Sequence, residues 1–236
     1  MKQAIKTRWA LDGKDIPVYL AMPPLGFLVG QLILFLIFHT VAEPSDGWFP
    51  IATLLALVIG VISVAAFASF SFLNRYQMAL SMGRTRKPQI AAEVLFSLIR
   101  SAILVLEVWL LSLLDEPLRA LLYPAQPVDL SPAVFLQAPV IAACLLVPTV
   151  CSLLIAGILG RFGKKAGAVL YFAFLAVCFF GPRLIGHIQP DSLAARLFSA
   201  VFGMPPLALI AVCALLLALL VWAAVRMLLT MRVTFP

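Results

Sequence analysis

Long apolar runs alternate with short polar segments along the whole 236-residue chain. An apolar run of about 20 residues is long enough to cross the hydrocarbon core of a bilayer as an α-helix. Six such runs cover residues 17–41, 48–72, 89–114, 132–159, 166–187 and 204–229. The pattern therefore predicts a single all-α integral membrane domain, residues 1–236, with six transmembrane helices.

Two shorter segments have the periodicity of amphipathic helices. The first follows the second span, where Leu73, Tyr76 and Leu80 are separated by polar residues. The second lies between the fifth and sixth spans, where Asp191 can cap a helix that carries Leu197 and further apolar residues on one side. We expect both helices to lie at the membrane surface.

The first run contains Gly26 and Gly30, four residues apart. This spacing allows another helix to approach closely. Pro23 and Pro24, just before it, indicate either a kink or a late helix start.

The composition excludes a soluble domain. Hydrophobic residues make up 64% of the chain and charged residues 11%, which is more apolar surface than a domain of this size can bury. The net charge of +7 would suggest nucleic-acid binding in a soluble protein. Here the cations lie between apolar runs, where they set the orientation in the membrane, so no nucleic-acid partner is implied.

The distribution of lysine and arginine predicts which loops face the cytoplasm. Thirteen of the 17 lie in the segments assigned to one side: Lys2, Lys6, Arg8, Lys14, Arg75, Arg84, Arg86, Lys87, Arg161, Lys164, Lys165, Arg226 and Arg232. Three lie on the other side: Arg119, Arg183 and Arg196. Because the cytoplasmic loops of membrane proteins carry the excess of positive charge, both termini are predicted to be cytoplasmic.

The polar segment after the second span has the residues of a helix, a turn and a second helix. Gly83 can end the first helix in the left-handed conformation. Thr85 can cap the next helix, and Pro88 lies in its first turn, where proline is tolerated. We call the segment the elbow and define it by Leu80, Met82, Gly83, Arg84, Arg86 and Lys87.

The run from Ala79 to Lys87, ALSMGRTRK, resembles the loop that follows the second span in permease subunits of type-2 ABC transporters. A helical segment between the fifth and sixth spans is a further similarity to that family. The resemblance implies that a separate ATP-binding-cassette ATPase subunit docks on the elbow. It also implies a second permease subunit, identical or related, and transport in the direction of export. The alternative is that the elbow cations only anchor the loop to anionic lipid headgroups.

The third run carries a stripe of polar residues: Glu93, Arg100 and Glu107 are spaced seven apart, and Ser97 lies near the same line. Residues seven apart share a helix face and are separated by a rise of about 10.5 Å. This rise predicts that Glu93 and Arg100 find their partners on other helices, in water or in a substrate. The stripe is interpreted either as polar contact between helices or subunits, or as the lining of a transport pathway.

The chain lacks the motifs of an enzyme. It has no G-x-x-x-x-G-K-[ST] phosphate-binding loop, no H-E-x-x-H and no nucleophile elbow. Its four cysteines all lie within apolar runs, where they are interpreted as small hydrophobic residues. We therefore expect no catalytic residue, metal site or cofactor in this chain, and any ATP hydrolysis to belong to a partner.

Three functions remain compatible with the sequence. The first is a multi-pass permease subunit of an ABC transporter in the cell membrane, forming the pathway as a dimer. The second is a secondary carrier that needs no ATPase, although such carriers usually have an internal repeat and none is visible here. The third is a membrane protein that does not transport, such as an immunity or assembly protein.

Overall fold

A computed structural model describes residues 16–40, 47–124, 128, 130–186 and 206–231. These residues form six α-helices and one short 3-10 helix, and their only strand-like feature is an isolated bridge between Trp48 and Val128. The α-helices are α1 (Ile16–Thr40), α2 (Ile51–Ser81), α3 (Arg86–Leu122), α4 (Ala138–Phe162), α5 (Lys164–Gly186) and α6 (Pro206–Thr230). The prediction of an all-α protein is confirmed for this part of the chain.

Five of these helices, α1, α2, α3, α4 and α6, are long and apolar enough to cross a membrane. The chain is thus a multi-pass membrane protein. The apolar segment of α5, Lys165–Ala176, is shorter than these five helices. The sixth crossing and the position of the termini stay predictions, and the amphipathic helix predicted after Asp191 lies outside the described residues.

The ends of α2 and α3 differ from their predicted ends. The prediction of a separate amphipathic helix after the second span is wrong, because α2 continues without a break to Ser81. Its last turns contain no glycine or proline that would end it earlier. Helix α3 continues to Leu122, eight residues beyond the predicted end of the third span at residue 114.

The start of α4 is also later than predicted. A short 3-10 helix covers Pro132–Leu136, and its first turn is capped by the hydroxyl of Ser131, which accepts a hydrogen bond of 3.3 Å from the Ala133 N–H. The α-helix begins only at Ala138. This arrangement agrees with the preference for serine at a cap and proline at the first helical position.

The two glycines of α1 lie against α2, as their spacing predicts. A Cβ atom built on Gly26 would be 2.9 Å from the carbonyl oxygen of Leu55, and one on Gly30 would clash with the Cα atom of Ala52. Ala52 and Ala56 are both fully buried. Small residues four apart on both helices thus allow the two backbones to approach. Since α1 begins at Ile16, the alternative of a late helix start is wrong.

The helices divide into two compact units, Met1–Leu153 and Leu154–Thr234. Two clusters of buried apolar residues lie among the described residues of the first unit. One contains Phe27, Leu34, Trp48, Ala52, Ala56 and Tyr123, and the other contains Tyr19, Val64, Leu104 and Val108. In the second unit Gly157 of α4 packs against Met227 of α6. All candidate site residues lie in the first unit.

Candidate functional site

The elbow has the hydrogen bonds of a complete Schellman motif. Gly83 has a φ angle of 74°, in the left-handed region. Its N–H donates to the carbonyl oxygen of Leu80 at 3.0 Å, and the N–H of Arg84 donates to that of Ala79 at 3.0 Å. These two bonds satisfy carbonyl groups that the helix end would otherwise leave without a donor. The prediction that Gly83 ends this helix in the left-handed conformation is confirmed.

The second half of the elbow agrees only in part with its prediction. Thr85 is the residue before α3, with an extended backbone, but its side chain makes no capping hydrogen bond. Pro88 is the third residue of α3 and so lies in the first turn, as predicted. The turn from α2 to α3 is therefore fixed mainly by the backbone of Gly83.

The elbow exposes apolar and cationic side chains next to one another. The side chain of Met82 is 67% exposed, and Met78, one turn earlier, is also exposed. Arg84 and Lys87 are exposed, whereas Leu80 and Arg86 are partly buried. A surface of this composition can insert its methionines into an apolar groove while its cations face acidic residues at the rim.

The polar stripe of α3 contains a direct ion pair between two residues that were predicted to find their partners elsewhere. Nη2 of Arg100 lies 2.6 Å from Oε1 of Glu93, and the two side chains are 7% and 0% exposed. The prediction that they are too far apart was wrong because it considered only the helical rise. Helical side chains point toward the N-terminus, so the long arginine reaches back over two turns to the glutamate.

The remaining stripe residues have different surroundings. The guanidinium carbon of Arg100 lies 5.4 Å from the centroid of the Tyr19 ring, within the range of a cation–π interaction. Ser97 is fully buried between Glu93 and Arg100 along the helix. Glu107 is only partly buried and is not part of this ion pair. The stripe thus consists of a buried pair with a serine and a more accessible carboxylate further along α3.

A second buried polar cluster lies at the opposite end of α2 from the elbow. Oδ1 of Asp115 accepts a hydrogen bond of 2.8 Å from Nε2 of Gln31, and Oδ2 accepts one of 2.6 Å from Oγ1 of Thr53. The main-chain N–H of Thr53 donates to the same carboxylate. Asp115 is fully buried. We call these three residues the Asp115 cluster, and it joins α1, α2 and α3.

Aromatic residues pack at the same end of the unit as the Asp115 cluster. The guanidinium carbon of Arg119 is 5.8 Å from the centroid of the Trp48 ring, and Tyr123 packs against Phe38 with ring centroids 4.9 Å apart. Trp48 and Tyr123 are 1% and 5% exposed. Their Nε1 and hydroxyl groups have no hydrogen-bond partner among the described residues.

The Asp115 cluster was not predicted, because the third span was expected to end at residue 114 and to leave Asp115 outside the membrane. One signal was present, since Gln31 is a polar amide near the middle of an otherwise apolar span. Such a group must find a partner within the protein. The partner was not predictable, because Asp115 is 84 positions away in the chain.

Over the described residues, no group of three or more histidine, cysteine, aspartate or glutamate side chains is placed to hold a metal ion. Searches of protein-family models, curated proteins and solved structures found no match to this chain. The proposed function therefore rests on the sites themselves.

Proposed function

We propose that this protein is the membrane-spanning permease subunit of an ABC transporter, driven by a separate ATPase subunit that docks on the elbow. The observation that carries the proposal is the elbow geometry. A Schellman turn at Gly83 presents the exposed Met82 beside the exposed Arg84 and Lys87. The local resemblance of Ala79 to Lys87 to the docking loop of such permeases supports the same assignment.

The continuity of α2 gives the elbow a mechanical role in this proposal. The helix is 31 residues long, which corresponds to about 46 Å. It runs without interruption from the Asp115 cluster to the turn at Gly83. Movement of a docked ATPase would therefore be transmitted along one rigid element to the other end of the first unit.

The remaining features of the proposal follow from the charge pattern and the family resemblance. The 13-to-3 distribution of cations supports a cytoplasmic elbow and cytoplasmic termini, which require α5 to be the sixth crossing. Two permease subunits, identical or related, form the pathway in the cell membrane. The direction is export, as the resemblance implies.

Replacement of Gly83 tests whether the elbow is a fitted docking surface. A Cβ atom on Gly83 would meet nothing within 4 Å, so no neighbouring residue crowds the first atom of a new side chain. Gly83→Val does force a β-branched residue to a φ angle of 74°, which costs about 1–2 kcal/mol or displaces the turn. We expect Gly83→Val to lower the amount of co-purified ATPase subunit and its ATP turnover, while the matched control Arg86→Lys keeps both.

Lipid anchoring predicts a different result. If the elbow only holds anionic headgroups, Gly83→Val and Met82→Ala behave like the wild type, and only the summed charge matters. An expressed and folded Gly83→Val protein with undiminished ATPase binding contradicts the docking proposal. The absence of any ATPase with the purified wild type contradicts it as well and favours the carrier or assembly function.

A further inference from the structure

The first turn of α2 depends on a side chain from another helix. Pro50 precedes the helix and makes no side-chain capping bond, and the first turn has no acidic residue. Asp115 of α3 supplies the carboxylate instead, and it accepts from both the N–H and the hydroxyl of Thr53. An anion at a helix N-terminus is favourable, so Asp115 holds this end of α2 in place.

The turn of α3 that carries Asp115 is itself weakened. Pro117 lies inside α3, two residues further on. Proline has no N–H to donate to the carbonyl oxygen of Leu113, and its ring crowds that carbonyl group. The segment that carries Asp115 has therefore lost a helical hydrogen bond and bends more easily than the rest of α3.

The other two helices at this end are held firmly to each other. Gly30 of α1 lies against the backbone of Ala52, and Gly26 lies against Ala56 one turn along. Because the two backbones are in contact, no flexible side chain lies between them that could keep the contact if the helices moved apart. A movement at this end of the unit is therefore a movement of α3 away from the pair of α1 and α2.

Two buried donors make the closed arrangement less favourable than a fully satisfied core. The Nε1 group of Trp48 and the hydroxyl of Tyr123 are buried without an acceptor among the described residues. A buried donor without an acceptor is costly, and entering water would supply one. These two donors therefore reduce the free-energy difference by which the closed arrangement is favoured over a hydrated, open one.

From these observations we propose that the Asp115 cluster is the latch of a gate that admits water at the end of the first unit opposite the elbow. In the open form α3 withdraws Asp115 from Thr53 and Gln31, and water hydrogen-bonds the side chains of Trp48 and Tyr123. The inference deepens the proposed transport function by naming a gate. Only the identity of what passes through the gate depends on the proposed transport function.

Hydrogen exchange tests the latch on the purified full-length protein in lipid nanodiscs, without an ATPase. The readout is the exchange rate of the amides in residues 51–56, compared with residues 76–82 at the elbow end of the same helix. The first variant is Asp115→Asn, with Glu116→Gln as its matched control on an exposed neighbouring acid. The second is Tyr123→Phe, which removes one buried donor and little else.

The latch predicts changes of opposite sign in the two variants. Asp115→Asn is expected to raise the exchange rate of residues 51–56 about tenfold and to leave residues 76–82 unchanged. Tyr123→Phe is expected to slow the exchange of residues 51–56 severalfold, and Glu116→Gln to have no effect. Thr53→Val replaces Asp115→Asn if that variant does not fold, and it is expected to change exchange in the same direction.

Three results would overturn the latch. An equal rise at both ends of α2 in Asp115→Asn would show that Asp115 only contributes to general stability. Unchanged exchange in both Asp115→Asn and Thr53→Val would show that the cluster does not hold the helix end. Faster or unchanged exchange in Tyr123→Phe would show that its buried hydroxyl does not favour opening. Because no ATPase is present, each of these results is independent of a failure of docking.

Discussion

Removing one charge of the Glu93–Arg100 pair should lower the free energy of unfolding far more than removing both charges. Arg100→Met leaves a fully buried carboxylate without its nearest cation, and Glu93→Gln leaves a buried guanidinium without its nearest anion. The double variant Glu93→Gln with Arg100→Met removes both charges and keeps similar side-chain volumes. The three variants form a double-mutant cycle that isolates the interaction of the pair.

The size of the effect follows from the burial of the two groups. The charged atoms are 2.6 Å apart, and their side chains are 0% and 7% exposed, so solvent screens neither charge. Breaking a buried pair by removing one partner costs about 3–5 kcal/mol, whereas replacing both partners is often close to neutral. Arg100→Met also loses the contact with the Tyr19 ring, about 0.5–2 kcal/mol. We expect a coupling free energy of about 3 kcal/mol or more between the two positions.

The assay is reversible unfolding in detergent micelles, followed by helical circular dichroism as denaturant is added. The free energy of unfolding is compared for the wild type, both single variants and the double variant. Glu116→Gln is the control, because it neutralises an exposed carboxylate on the same helix and should change the free energy by less than about 0.5 kcal/mol.

Additive effects of the two single substitutions would refute the reasoning. They would mean that each charge finds its main partner elsewhere, as the helical rise alone had suggested. Near-wild-type stability of Arg100→Met would refute the burial argument itself, since a buried carboxylate that loses a cation 2.6 Å away must be destabilised.

Two further predictions concern topology and packing. Cysteines that replace Arg84 and Lys164 should react with a membrane-impermeant thiol reagent only after intact cells are broken, and labelling from outside would contradict a cytoplasmic elbow. Gly30→Val should lower the free energy of unfolding by about 1–3 kcal/mol, because its side chain would meet the backbone of Ala52. Leu28→Ala, at an exposed position of the same helix, is the control for the packing measurement and should change it much less.

The features that could be predicted from the sequence are those with a local cause. Gly83 ends α2 in a left-handed conformation because the chain has to turn between two long helices, and glycine adopts that conformation without strain. Gly26 and Gly30 allow close packing by their spacing alone. The apolar runs likewise predict helices long enough to span a membrane.

The features that could not be predicted depend on contacts made after the helices pack. Asp115 looks like a loop residue until Gln31 and Thr53 supply its hydrogen bonds from two other helices. The pair of Glu93 and Arg100 depends on the direction and length of the arginine side chain, which a count of helical turns does not include.

Site-specific crosslinking at the elbow tests docking of the ATPase most directly. A photoreactive amino acid at Met82, which is 67% exposed at the elbow, is compared with one at Leu121, which is 76% exposed at the other end of α3. Membranes of the native host are irradiated, and the adducts are identified by mass spectrometry. The proposal predicts that position 82 crosslinks to an ATP-binding subunit and that position 121 does not. Adducts with lipid alone at position 82, or the same protein adducts at both positions, would contradict it.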